Sequence, residues 1–233
     1  MPNWCQQYGE VRGSNKELKR FIEAIRVEQT EEWKALPEWN RNNWDMNQLF
    51  PIPTELHETV AGFLGKDEDG NPKPEQIALE EQQKRNIDKY GHKDWYDWAN
   101  ENWDTKWGAC NVDFDENRFE EKSTSIDIHW ESAWSPAVGL IRNISAKFPE
   151  LVFGMHFTEE ANFFAGYMVF HNGEMVAEGD HDMEGQPECE DNGNDEQYEK
   201  YEKEMSDWQD KLIFEIAEGM MTAMTAQQIF SAN

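Results

Sequence analysis

The spacing of the apolar residues sets the tightest limit on how this chain can fold, because it switches along the sequence between every second residue and every third or fourth. Residues 3 to 13 read as a short strand closing at Gly13. Ser14 then stands as an N-cap before Leu18, Phe21, Ile22 and Ile25, which recur at helical spacing. Val112 and Phe114, and later Ile126, Ile128 and Trp130, alternate with polar residues on either side of the turn-like DENRFEEKS, which predicts a hairpin. Ser135 and Pro136 offer a cap and a first helical position for Val138, Ile141, Ile144 and Phe148, and Pro149 ends that helix. LVFGMHFTEE, NFFAGYMVFHNG and EMVAEGD read as three successive strands, the last two joined at Asn172 and Gly173.

With residues 30–108 set aside as an insert, the order is β-α-β-β-α-β with two strands appended. It predicts an α+β, ferredoxin-like fold: an antiparallel sheet with two helices on one face, carrying a helical Trp-rich insert. The domain is expected over residues 1–180, with 181–233 forming an acidic loop and a C-terminal amphipathic helix. Within the insert, Pro74 and Gly91 bracket a surface helix, while the stretch from Thr30 to Pro53 reads as irregular or short-helical.

Acidic residues outnumber basic ones 48 to 21, a net charge of −27. Such a field repels nucleic acid and anionic membranes and draws basic proteins, so the expected partner is a basic host nucleic-acid-binding protein, with no direct nucleic-acid or membrane binding. An aromatic content of 13% supplies the burial that disordered acidic chains lack. Cys5, Cys110 and Cys189 form no C-x-x-C pair, which points to the reducing cytoplasm of a host cell rather than to a disulfide framework. The first residues carry no leader pattern, and no run of 18 apolar residues occurs. From Glu178 to Asp210 fourteen acids face two lysines, Lys200 and Lys203. Tyr201, Met205, Trp208, Leu212 and Ile216 then form a helical stripe that must dock on its own domain or build a homodimer.

Three segments, MPNWC, DWYDWANENWDTKWGA and ESAWSP, together resemble the YubB-like family of ferredoxin-like proteins, through Asn3, Trp4, Cys5, Trp95, Tyr96, Trp98, Asn102, Trp103, Thr105, Lys106, Trp107, Ala133, Trp134 and Pro136. The resemblance implies a ferredoxin-like fold and an origin on phages or conjugative plasmids. It implies no reaction.

Trp95, Trp98, Trp103 and Trp107 fall within thirteen positions. They are expected to be mainly structural, roofing the sheet face that the two helices leave open; alternatively they form a cage for a nucleotide or modified base. Lys106 is expected to pair with a carboxylate, and Asn102 to cap a turn. His129, His156, His171 and His181 lie on or near strands without metal-ligand spacing, and no phosphate-binding or nucleophile motif is present, so no catalytic residue, metal or cofactor is expected. The leading functional expectation is an acidic inhibitor that mimics DNA toward a host CRISPR or restriction protein. Its partner-binding acids would be Asp94, Asp97, Glu101, Asp104, Asp113 and Asp115 around the sheet, with Glu199, Glu202 and Asp207 on the C-terminal helix.

Overall fold

The computed structural model describes residues 3–37, 41–161, 163–189 and 195–231. Six strands, β1 (Trp4–Arg12), β2 (Cys110–Asp113), β3 (Ser125–Ala133), β4 (Val152–Glu159), β5 (Ala165–His171) and β6 (Glu174–His181), form one sheet in the order β2-β3-β1-β4-β5-β6. Every neighbouring pair is antiparallel. It follows that β1 and β2 run parallel with β3 between them, and β3 and β4 run parallel with β1 between them. These two interleaved crossovers define the ferredoxin-like sheet, which β5 and β6 extend at one edge.

The first helix, α1 (Asn15–Ile25), starts where Ser14 accepts a hydrogen bond from the Glu17 amide, and buries Leu18, Phe21, Ile22 and Ile25. Four short or surface helices follow in the insert: α2 (Glu31–Ala35), α3 (Thr54–His57), α4 (Pro74–Tyr90) and α5 (Trp95–Asn102). Pro74 opens α4 and Gly91, left-handed at φ 79°, closes it. The helix α6 (Val138–Lys147) lies beside α1 against the face carrying Val11, Ile126, Ile128, Trp130, Phe153, Met155 and Phe170.

Two expectations are corrected here. Ser135 does not cap α6; Ala137 holds that position without a side-chain cap, and its amide donates to Gln7 Oε1 at 2.9 Å. The Ser135 hydroxyl instead donates to the Asp104 carbonyl at 2.6 Å. Nor do the tryptophans roof the open face. Trp98 and Trp103 join the same core as α1 and α6, together with Trp44, Met46 and Leu56 from the insert.

That close approach depends on Gly139, where an added Cβ would sit 2.3 Å from the Asn102 carbonyl oxygen at the end of α5. Backbone cannot swing aside as a side chain does. Gly139→Ala is therefore expected to destabilise the fold by about 1–3 kcal/mol, despite alanine's better helix propensity, as read by chemical denaturation.

The opposite face is covered over β4, β5 and β6 by the long helix α7 (Asp195–Ser231), which buries Leu212, Ile216, Met220 and Met224 against Val152, Ala165 and Val169. Gly154 permits the contact, since a Cβ there would meet Met224 Sδ at 2.3 Å. From Trp208 onward the apolar stripe is thus docked on its own domain. Toward β1 the cover thins: Arg12 is buried and donates to Thr225 Oγ1 of α7 at 3.1 Å, while Tyr8 is exposed and the outer face of β3 is open.

Candidate functional site

Alternation along β1 turns Cys5, Gln7, Gly9 and Val11 toward the helices and sends Tyr8, Glu10 and Arg12 to the other face. Register then builds two polar rows across this outer face, beside α7. In one, Asp113, His129, Tyr8 and His156 stand opposite one another in turn. In the next, Asp127 faces Glu10. Tyr8 packs between the two imidazoles, with ring centroids 4.5 Å from His129 and 5.1 Å from His156, the latter nearly parallel at 12°.

Between this floor, the α7 residues Ala217, Met220 and Met221, and the Phe114 and Phe119 side of the hairpin lies a cleft of about 490 Å³. Its electrostatics are uneven. Arg12 grips Glu10 through two contacts, 2.7 and 3.0 Å, and so neutralises it. Arg118 is paired with Asp115 at 3.3 Å. Asp127 and Asp113 have no hydrogen-bond or ion-pair partner among the described residues. Burial, and then the nearby Glu10 carboxylate, raise the Asp127 pKa above the usual carboxylate value. His156 is 9% exposed, and its Nδ1 has no hydrogen-bond partner. Burial pushes its pKa down to about 4. Burial likewise lowers that of His129.

The His156 shift makes a testable pH effect. A histidine whose folded pKa lies below its unfolded value takes up more protons when unfolded, so its contribution to stability falls as pH drops from about 6.5 toward about 4. The loss should reach up to about 3 kcal/mol. Denaturation of wild type and His156→Gln at pH 7 and pH 4.5 should show a smaller acid-induced loss in the variant.

The predicted acids fall on three parts of the fold. Asp94 leaves the set: it is 1% exposed, and its carboxylate caps α5 by accepting from the Asp97 amide at 3.0 Å. Asp97 and Glu101 flank His92, with oxygens 4.0 and 3.6 Å from its Nδ1. Asp104 is exposed in left-handed backbone at φ 60°. Asp113 and Asp115 border the cleft. Glu199, Glu202 and Asp207 are exposed along α7.

The four tryptophans divide. Trp98 and Trp103 are buried edge to face, centroids 5.4 Å apart, and the Trp103 indole donates to the Phe50 carbonyl at 2.9 Å. Trp95 and Trp107 are half-buried, and with an edge of Trp103 they line a second cleft, about 670 Å³, beside Asp45 and His57. Lys106 does not pair with a carboxylate among the described residues; its ammonium lies 4.3 Å from the centre of the Trp107 ring. Asn102 bonds the Trp98 carbonyl at 2.9 Å.

The segments singled out for their resemblance also meet in space. Trp4 and Trp107 are 5.9 Å apart, Thr105 donates to the Ala133 carbonyl, and the Trp134 amide donates to the Asn3 carbonyl. Trp134 is 54% exposed with φ 72°, a strained conformation for a bulky side chain. The buried Cys5 thiol, pushed up to about 12 by burial and the Glu159 carboxylate, is held protonated and so is no thiolate nucleophile. Among the described residues no group of three or more His, Cys, Asp or Glu is placed to hold a metal ion. No described helix is long and apolar enough to cross a membrane.

Residues 102–203 match a family model described as the ferredoxin-like domain in Api92-like protein. With the strand order above, that decides the fold. This is a ferredoxin-like domain. The match bears out the expected fold, but carries neither the YubB-like name nor a phage origin. It spans β2 to β6 and the start of α7, so the central strand β1 comes from outside the matched segment. The crystal structure of protein api92 from Yersinia pseudotuberculosis is similar at 12% identity and a TM-score of 0.44, covering 78% of this chain and 99% of that one. No curated protein matches the chain.

Proposed function

We propose that this ferredoxin-like protein is a non-catalytic, phage- or plasmid-encoded inhibitor whose ordered acids take the place of the DNA backbone on a basic protein of host defence, of the CRISPR or restriction type. One observation carries this reading. Asp113, Glu199, Glu202 and Asp207 are exposed on regular elements and have no ion-pair partner among the described residues. Their charges are therefore available at fixed spacing rather than spent internally, as a mimic of a regular phosphate array requires. The mobile-element origin rests on the YubB-like resemblance. Each exposed pair contributes below about 1 kcal/mol, so affinity comes from many acting together and is screened by salt. Pull-down from host lysate should capture a basic nucleic-acid-binding protein at low salt and lose it steeply at moderate salt; capture indifferent to salt contradicts the reading.

A second reading, a binding module for a nucleotide or modified base, is favoured by the cleft where Trp95, Trp103 and Trp107 flank Lys106. Saturable quenching of tryptophan fluorescence by a nucleotide, lost on Lys106→Ala, would support it.

A further inference from the structure

We propose that the cleft between α7 and the outer sheet face, floored by Asp127, Tyr8, His129 and His156 with Asp113 at its edge, receives an arginine side chain of the basic partner. The inference rests on the proposed function for the partner's class, and it names where that partner's side chain enters.

The cleft has the size of ligand sites generally, about 300–1,000 Å³, and its walls are apolar: Met220 and Met221 on one side, Phe114 and Phe119 on the other. Four carboxylates line it, those of Glu10, Asp113, Asp115 and Asp127, against one lining cation, Arg118, with Arg12 held beside Glu10, so acids stay in excess. Asp127 stands directly opposite Glu10, a like-charge pair that is unfavourable unless a cation intervenes. Arg12 answers only half of this, because its guanidinium is committed to Glu10. Arg118 also lines the cleft, but it is largely exposed and held to Asp115 by one contact of 3.3 Å, so it answers Asp127 only from the rim.

An independent sign of an incomplete site is His156. It is more than nine-tenths buried, lines the cleft beneath Tyr8, and has a ring nitrogen without a partner. That nitrogen is closed off inside the fold, so a guest meets His156 as a neutral ring, which does not repel an incoming cation. The guest is therefore a cation rich in donors. Guanidinium suits this better than ammonium: it is planar, presents five donors, stacks on aromatic rings and is less strongly hydrated, so it loses less on entering a partly enclosed cleft. The methionines of α7 adapt to an aliphatic stem.

The test is an NMR titration of the full chain with acetyl-Gly-Arg-Gly-amide, following the ring protons of Tyr8, His129 and His156, with citrulline and lysine versions alongside. Saturable shifts confined to these rings are expected with arginine, at least tenfold weaker binding with citrulline, and severalfold weaker with lysine. Asp127→Asn should weaken the arginine peptide at least tenfold. Asp127 is exposed, so this variant should keep wild-type melting, and Glu81→Lys, exposed on the insert helix α4, should leave peptide binding unchanged. No saturable shift, equal binding of citrulline, or an Asp127→Asn variant that binds like wild type overturns the proposal. A partner still captured and still displaced by DNA, but indifferent to Asp127→Asn, defeats the cleft alone. Peptide binding without any DNA-competed capture supports the cleft and defeats the mimic reading alone.

Discussion

Truncating Trp103 to Ala is expected to cost about 3–5 kcal/mol, as for other buried aromatic side chains. At this chain length that corresponds to a drop of roughly 6–20 °C in melting temperature. The cost has identifiable sources: the indole is 5% exposed, packs edge to face on Trp98, and satisfies the Phe50 carbonyl, which would be left without that donor. Trp98→Ala should behave alike, since Trp98 also touches Phe50 at 5.2 Å. Trp95→Ala should cost far less, below about 1 kcal/mol, because that ring is half-exposed. Thermal melts of the three variants separate structure from ligand binding. Unchanged melting of the Trp98 and Trp103 variants together with lost nucleotide affinity would overturn the structural role.

Element order was legible where elements keep a clean period: Leu18, Phe21, Ile22 and Ile25 are all buried, and Ile126, Ile128 and Trp130 all face the helices. What the residues do not announce follows from polar groups used inside. The inward face of β1 reads Cys5, Gln7, Gly9, Val11, which is no apolar alternation. Gln7 is buried to bond Ser132 and the Ala137 amide, and Gly9 makes room for Trp130, whose ring would lie 2.6 Å from a Cβ there. A strand so written looks short, yet β1 runs nine residues through the centre of the sheet. The candidate cleft hides for the same reason. Tyr8, Glu10, Asp127, His129 and His156 come from three strands, and only register brings them together. Asp94 shows the converse. It stands before a helix in the manner of an N-cap, a signal that separates it from the surface acids by local chemistry alone.

Reversing Glu101, Glu199, Glu202 and Asp207 to Lys together is expected to abolish partner capture, whereas any one reversal should weaken it by less than about tenfold. All four are exposed, so the quadruple variant should retain its fold, checked by circular dichroism and melting. Reversal charges act on association first, so the single variants should slow binding more than they speed dissociation.

The most direct measurement is competition: a captured, purified partner is held at low salt with this protein while duplex DNA of unrelated sequence is titrated in. A mimic of the backbone predicts mutually exclusive binding, with full displacement by DNA and a midpoint that shifts in proportion to the concentration of the protein. A ternary complex, or capture unchanged in large DNA excess, would contradict it.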